Sequence, residues 1–164
     1  MPNTVVVITE DALLPIDVTH IRTIAGPDGT DVRLIVPSEV RRSVVADFID
    51  HLAVLDLKEA WEDLTGANDV TPDEAIATAS DALARSVAAL AEQGLDVASG
   101  TVADDVVAAL RTELETAQGE IQVFAVTQPR AVADAFHRGW ADRIEEELDV
   151  AVLHFYTGTS YLEA

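Results

Sequence analysis

The sequence predicts an α/β fold, a five-stranded open parallel sheet with helices on both faces. Its strand-like runs are uninterrupted apolar and β-branched residues, which is typical of strands buried on both faces of a parallel sheet. Amphipathic helical segments lie between these runs, and such alternation calls for right-handed crossovers between parallel strands. At 164 residues, with no internal repeat, the chain is expected to form a single domain over 1–164.

Four of the predicted strands are recognised by composition. A fifth, Leu95–Val102, is rich in small residues and is predicted mainly from its position between two helices. The predicted strands are Val5–Ile8, Val32–Val36, Leu95–Val102, Ile121–Val126 and Val150–Tyr156.

The helices are predicted from apolar spacing and from capping residues. Thr71, followed by Pro72 and two acidic residues, is a strong N-cap, and Gly94 ends the helix that it begins. The stretch from Asp11 to Thr30 is less regular, and a single helical turn is predicted there over His20–Ala25. The other predicted helices are Glu39–Leu64, continuous or broken once, one from Asp104 or Asp105 to Gly119, and Arg130–Leu148.

The composition excludes several classes of function. No cysteine is present, so disulfides, thiol catalysis and cysteine-based zinc sites are excluded. A net charge of −20 disfavours nucleic acids and anionic membrane surfaces as partners, and the acidity is interpreted as a means of solubility. The N-terminal sequence lacks a basic region and no stretch reaches membrane-spanning length, so a cytoplasmic protein is expected.

The order of elements resembles the universal stress protein family. The segment AEQGLDVASGTVADDVVAAL, at 91–110, is similar to the family's third strand, which follows a helix and a glycine and leads through an acidic or small turn into a helix. The resemblance covers most of the chain and is weakest over 11–30 and 38–70. It implies a Rossmann-like fold of the adenine nucleotide alpha hydrolase type and a role in stress response.

Nucleotide-binding members of that family carry the motif G-x2-G-x9-G-[ST] after strand 4. Glycine there lets the backbone approach the ATP phosphates closely. The corresponding positions here hold Val126, Pro129, Gly139 and Trp140, so one glycine of three remains and the hydroxyl is lost. The comparison therefore implies no ATP binding through this motif and no cofactor, with ATP bound by an altered loop as the alternative.

The comparison also defines a candidate ligand cleft at the carboxyl ends of the strands. Glu10 lies where family members often carry an acidic residue that faces the nucleotide, and Arg130 begins a helix, where it meets an anionic ligand or forms a surface salt bridge. The candidate ligand-binding residues are Glu10, Val126, Thr127, Pro129, Arg130 and Gly139.

Other chemistries find weaker support in the sequence. Glu10, Asp11, Asp104 and Asp105 are hard-cation ligands by type, but helix capping and a solvated acidic face are the preferred interpretation. The four histidines, at 20, 51, 137 and 154, lack zinc-site spacing, and no G-x-S-x-G motif supports serine hydrolysis. No catalytic or metal residue is therefore predicted.

The last predicted strand is a candidate dimer edge. In the resembled family strand 5 pairs with its twin across a two-fold axis, and an exposed apolar edge needs a cover. The alternative is that the C-terminal SYLEA or the helix at 39–64 covers the edge within one chain, and the glycine in TGTS is interpreted as the strand's exit turn. The expected interface residues are Val150, Val152, Leu153, His154, Phe155 and Tyr156.

The resemblance implies a non-enzymatic stress-response or regulatory protein that acts as a homodimer, through a protein partner or an unidentified small ligand. The main alternative is a nucleotide-binding or ATP-hydrolysing protein with an altered loop after strand 4. A purely structural subunit of a larger assembly is a third possibility.

Overall fold

The computed structural model describes residues 3–26, 29–38, 71–127, 140, 142–159 and 162–163. The helix predicted over Glu39–Leu64 and the first part of the one predicted from Arg130 lie outside the described residues.

Strands and helices alternate along the described chain. The strands are β1 (Thr4–Thr9), β2 (Asp31–Pro37), β3 (Val97–Ala103), β4 (Ile121–Thr127), β5 (Val152–Tyr156) and β6 (Leu162–Glu163). The helices are α1 (Pro15–Ala25), α2 (Pro72–Glu92), α3 (Val106–Thr116) and α4, which comprises the described residues 140 and 142–148. In the part of the chain that the structure describes, no helix is long and apolar enough to cross a membrane.

The strands form one sheet in the order β3-β2-β1-β4-β5-β6. Neighbouring strands from β3 to β5 are parallel, which confirms the predicted α/β fold with five parallel strands. The sequence does not predict β6, a two-residue strand that runs antiparallel to β5. Such a short strand carries almost no periodic signal, so its pairing is visible only in the folded chain.

Both faces of the sheet are buried. On β1, Val5 and Val7 pack with residues of α1 and the end of α2, while Val6 and Ile8 pack with α3 and α4 on the opposite face. Alternate residues of a strand point to opposite faces of the sheet. Because helices cover both faces, every residue of β1 is buried. The uninterrupted apolar runs of the sequence follow from this arrangement.

The prediction for the first crossover was wrong in extent. A single turn over His20–Ala25 was expected, whereas α1 has 11 residues and begins at Pro15. Pro15 occupies the first helical position, and the Asp17 carboxyl group accepts a hydrogen bond from the backbone N–H of Leu14, 2.9 Å away. This capping arrangement lacks the usual Ser or Thr at the N-cap, so the helix start is hard to recognise from sequence.

The predicted caps of the two following helices are confirmed. The Thr71 hydroxyl accepts a hydrogen bond from the backbone N–H of Glu74 at 3.3 Å. In return, the backbone N–H of Thr71 donates to the Glu74 carboxyl group at 3.0 Å. At α3, the Asp105 carboxyl group accepts from the N–H groups of Val107 and Ala108 at 3.0 and 3.1 Å. Both helices therefore begin where their polar residues satisfy otherwise unpaired backbone donors.

A buried arginine ties β2 to the end of α3. Arg33 donates hydrogen bonds to the carbonyl oxygens of Glu113 and Thr116, at 2.7 and 3.2 Å, and its guanidinium lies 3.1 Å from the Glu113 carboxyl group. The Glu113 carboxyl group also accepts from the Ser99 hydroxyl of β3 at 2.9 Å. A cation at a helix C-terminus satisfies its last carbonyls and complements the helix dipole.

We expect Arg33→Met to lower the free energy of unfolding by about 3 kcal/mol, because it leaves the Glu113 carboxyl group and the last α3 carbonyls without their cation. Arg85→Met is the matched control, since the Arg85–Asp81 pair is 68% exposed on each side and should contribute less than about 1 kcal/mol. Urea unfolding measures both. Equal losses in the two variants would contradict this role of Arg33.

Candidate functional site

The order of the strands reverses between β1 and β4. From β1 the chain adds β2 and β3 on one side, and β4 and β5 lie on the other side. Open α/β sheets bind ligands at the carboxyl ends of the strands where such a reversal occurs. We call this place the switch-point edge and define it by the residues 9–11, 126–127 and 157–159.

The end of β1 is held close to β4. The backbone N–H of Glu10 donates to the carbonyl oxygen of Val126 at 3.4 Å, and the Thr9 hydroxyl donates to the carbonyl oxygen of Asp11 at 2.6 Å. Thr9 is buried, while Glu10 and Asp11 are partly exposed. Two carboxyl groups therefore lie where the sequence predicts that a ligand cleft opens.

The end of β4 is closed by apolar packing. Val126 is 3% exposed and belongs to the same core cluster as Phe124 and Phe155. Thr127 is also buried, and its carbonyl oxygen accepts from the N–H of Thr157 at 2.8 Å. A valine buried in this way belongs to the core and leaves little room beside the backbone at the end of β4.

The structure brings Glu10, Val126 and Thr127 together at the switch-point edge. The other three predicted cleft residues, Pro129, Arg130 and Gly139, lie outside the described residues.

Asp17 connects the start of α1 to the turn after β5. Its carboxyl group, 3% exposed, accepts hydrogen bonds from the Thr157 hydroxyl at 2.7 Å and from the N–H of Gly158 at 2.9 Å. Together with the bond from Leu14, these contacts make three donors for one buried carboxyl group. The same side chain therefore caps α1 and fastens the exit turn of β5.

The turn after β5 is held by hydrogen bonds within the chain. Gly158 has a φ of 71°, which favours glycine, and the Thr159 hydroxyl and N–H both donate to the carbonyl oxygen of Tyr156. The Thr157 hydroxyl and the Gly158 N–H donate to Asp17, so both of these donors have an acceptor within the chain. The sequence offered no signal for this contact, because its partners lie 140 positions apart.

The four acidic residues considered as cation ligands are divided between two places. Asp105 caps α3, and Asp104 accepts a hydrogen bond from the buried hydroxyl of Ser38. Glu10 follows β1, which β2 separates from β3, and two strand spacings amount to about 10 Å. Among the residues that the structure describes, no group of three or more His, Asp or Glu side chains is arranged to hold a metal ion.

The two described histidines contact aromatic rings. His20 of α1 stacks on Phe155 with ring centroids 6.2 Å apart, and His154 of β5 lies 6.2 Å from Trp140 of α4. Through these contacts α1 packs against one face of β5 and α4 packs against the other. His51 and His137 lie outside the described residues.

The predicted dimer residues differ in exposure. Phe155 is 4% exposed and part of the core, Val150 and Val152 pack against the opposite face, and Leu153 is 40% exposed. On the outer edge of β5, His154 pairs with Glu163 and Phe155 pairs with Leu162 of β6. The tail of the same chain therefore lies on this edge, as the single-chain alternative expected for SYLEA.

No protein-family model, curated protein or solved structure matches this chain.

We expect Asp17→Ala to lower the free energy of unfolding by about 2–4 kcal/mol, because three donors lose their acceptor in a buried position. Asp17→Asn keeps one carbonyl oxygen and should lose less. Amide hydrogen exchange at Gly158 should accelerate in both variants. The control Glu115→Ala removes an exposed carboxyl group of α3 and should change neither measurement; no difference between Asp17→Ala and this control would contradict the assignment.

Proposed function

We propose that this chain is a universal-stress-protein-like regulatory protein without enzymatic activity, which acts as a homodimer and does not bind ATP through the family's glycine loop. The resemblance of its sequence to that family is the origin of the proposal. Its fold, with five parallel strands and β5 next to the edge of the sheet, is compatible with it.

Among the residues that the structure describes, which do not include 128–139 after β4, the packing and hydrogen bonds of the switch-point edge are the observation that carries the proposal. Binding of a triphosphate here requires close approach of the backbone and free donors. Val126 is instead packed in the core, and the donors of Thr157 and Gly158 are bound to Asp17. Glu10 and Asp11 add further carboxyl groups nearby, which disfavour an anionic ligand unless a metal ion lies between them.

Isothermal titration with ATP and Mg²⁺ tests the absence of nucleotide binding. We expect no saturable heat up to about 1 mM ATP, which corresponds to binding weaker than about −4 kcal/mol. The variants Glu10→Gln and Glu115→Gln form a matched pair, because each removes one carboxylate and changes the net charge by the same amount. Saturable binding with a dissociation constant in the micromolar range would overturn the proposal.

The second candidate is a nucleotide-binding protein with an altered loop. The strand reversal between β1 and β4 favours it, because this is the ligand position of open α/β sheets. In that case Glu10→Gln should change the affinity for ATP, whereas Glu115→Gln, remote on α3, should leave it unchanged.

The homodimer is proposed to form through β5. Leu153 is a large apolar side chain that is 40% exposed on this strand, next to the edge of the sheet. A two-fold interface places equivalent residues of two copies close together, so one apolar residue contributes to the contact twice.

We expect Leu153→Lys to weaken dimerisation by about tenfold or more, because it brings two charges to the two-fold contact. Ile76→Lys is the control, since Ile76 is 45% exposed on α2, which packs against β2 and β3 at the other end of the sheet. Sedimentation equilibrium measures the dissociation constant. The same mass distribution for wild type and Leu153→Lys would contradict an interface at β5.

A further inference from the structure

We propose that β6 and the turn Thr157–Thr159 form an intramolecular cap on the outer edge of β5, and that this cap competes with a second copy of the chain for the edge. The inference rests on the proposed homodimer and concerns how formation of that dimer is regulated. The edge is closed when the tail of the same chain lies on it and open when the tail is displaced.

The pairing of β6 shows what kind of segment this edge accepts. Leu162 and Glu163 lie antiparallel to β5, in register with Phe155 and His154. A strand at the edge of a sheet presents backbone donors and acceptors that any extended segment can use. An antiparallel β5 of a second copy needs the same backbone groups, so it and β6 exclude each other.

The turn before β6 directs the chain back along the edge. The N–H of Thr157 extends the pairing with β4, and the next residue, Gly158, has a φ of 71°. The Thr159 hydroxyl and N–H, 2.7 and 3.2 Å from the carbonyl oxygen of Tyr156, close the turn. The turn lies directly after β5, and β6 pairs antiparallel with the strand that the turn leaves.

Asp17 is the anchor of the cap. Its two bonds, to the Thr157 hydroxyl and the Gly158 N–H, connect the turn to the first turn of α1. Because this carboxyl group is buried and also caps α1, the anchor stays in place as long as α1 does. The turn is thus fixed more firmly than the two-residue strand that follows it.

A second copy is the occupant that the exposed residues of β5 favour. The described pairs of β6 involve two of the five residues of β5, and Leu153 remains 40% exposed beside them. Two β5 strands that pair antiparallel across a two-fold axis present the same residues to each other and bring both Leu153 side chains to the contact. A short cap and a longer competing strand make the edge a two-state element.

Leu162→Pro tests the cap, because proline has no backbone N–H and its fixed φ disfavours a continuous ladder. Leu162→Ala is the matched control and keeps the backbone donor. We expect the dissociation constant of the dimer to fall by about tenfold in Leu162→Pro relative to Leu162→Ala. Thr157→Val, which removes one of the two anchoring bonds, should give an intermediate decrease.

Hydrogen exchange on dilute, monomeric protein provides a second measurement that does not depend on dimerisation. The amides of β5 should exchange faster in Leu162→Pro than in Leu162→Ala, while those of β1 remain unchanged. Unchanged exchange in β5 would overturn the cap whatever the oligomeric state.

The outcomes separate the cap from the dimer. A stronger dimer in Leu162→Pro, abolished by adding Leu153→Lys, supports the inference. A wild-type dimer that Leu153→Lys weakens and Leu162→Pro leaves unchanged overturns the cap and leaves the proposed dimer standing. If neither wild type nor Leu162→Pro associates at about 0.5 mM protein, the dimer is overturned, and with it the competition between β6 and a second copy.

Discussion

Burial of both faces of the parallel sheet is the constraint on which the rest of the structure depends. Because α1 and α2 cover one face and α3 and α4 cover the other, successive residues of β1 pack into different core clusters. This burial makes the central strands largely apolar, with the paired Arg33 of β2 as a buried exception, and it leaves most polar chemistry to the strand ends. The candidate site lies there for that reason, at the carboxyl ends of β1, β4 and β5.

Polar groups buried around this core act mainly as connectors. Arg33 joins β2 to the end of α3, and Asp17 joins the start of α1 to the exit turn of β5. Each satisfies several backbone groups that the ends of helices and strands leave unpaired. At the switch-point edge, the Thr157 hydroxyl and the Gly158 N–H have an internal acceptor in the Asp17 carboxyl group.

The predictable parts of the fold are those with a local signal. Four of the five parallel strands followed from their composition, and β3 followed mainly from its position between two helices. The N-caps Thr71 and Asp105 followed from side chains that bond within three residues of themselves. The start of α1 escaped prediction because Leu14 replaces the usual polar N-cap and Asp17 does the capping from inside the helix. β6 escaped because two residues carry no periodicity.

The amino-acid sequence alone was sufficient to establish the α/β class and the acidity of the chain. The tertiary structure decided which distant groups meet, including the placement of Asp17 against Thr157 and Gly158 and the return of the tail onto β5. The physical reason is the range of the interactions. Strand and cap preferences act over a few residues, whereas the partners of a buried carboxyl group depend on the spatial order of the strands in the folded sheet.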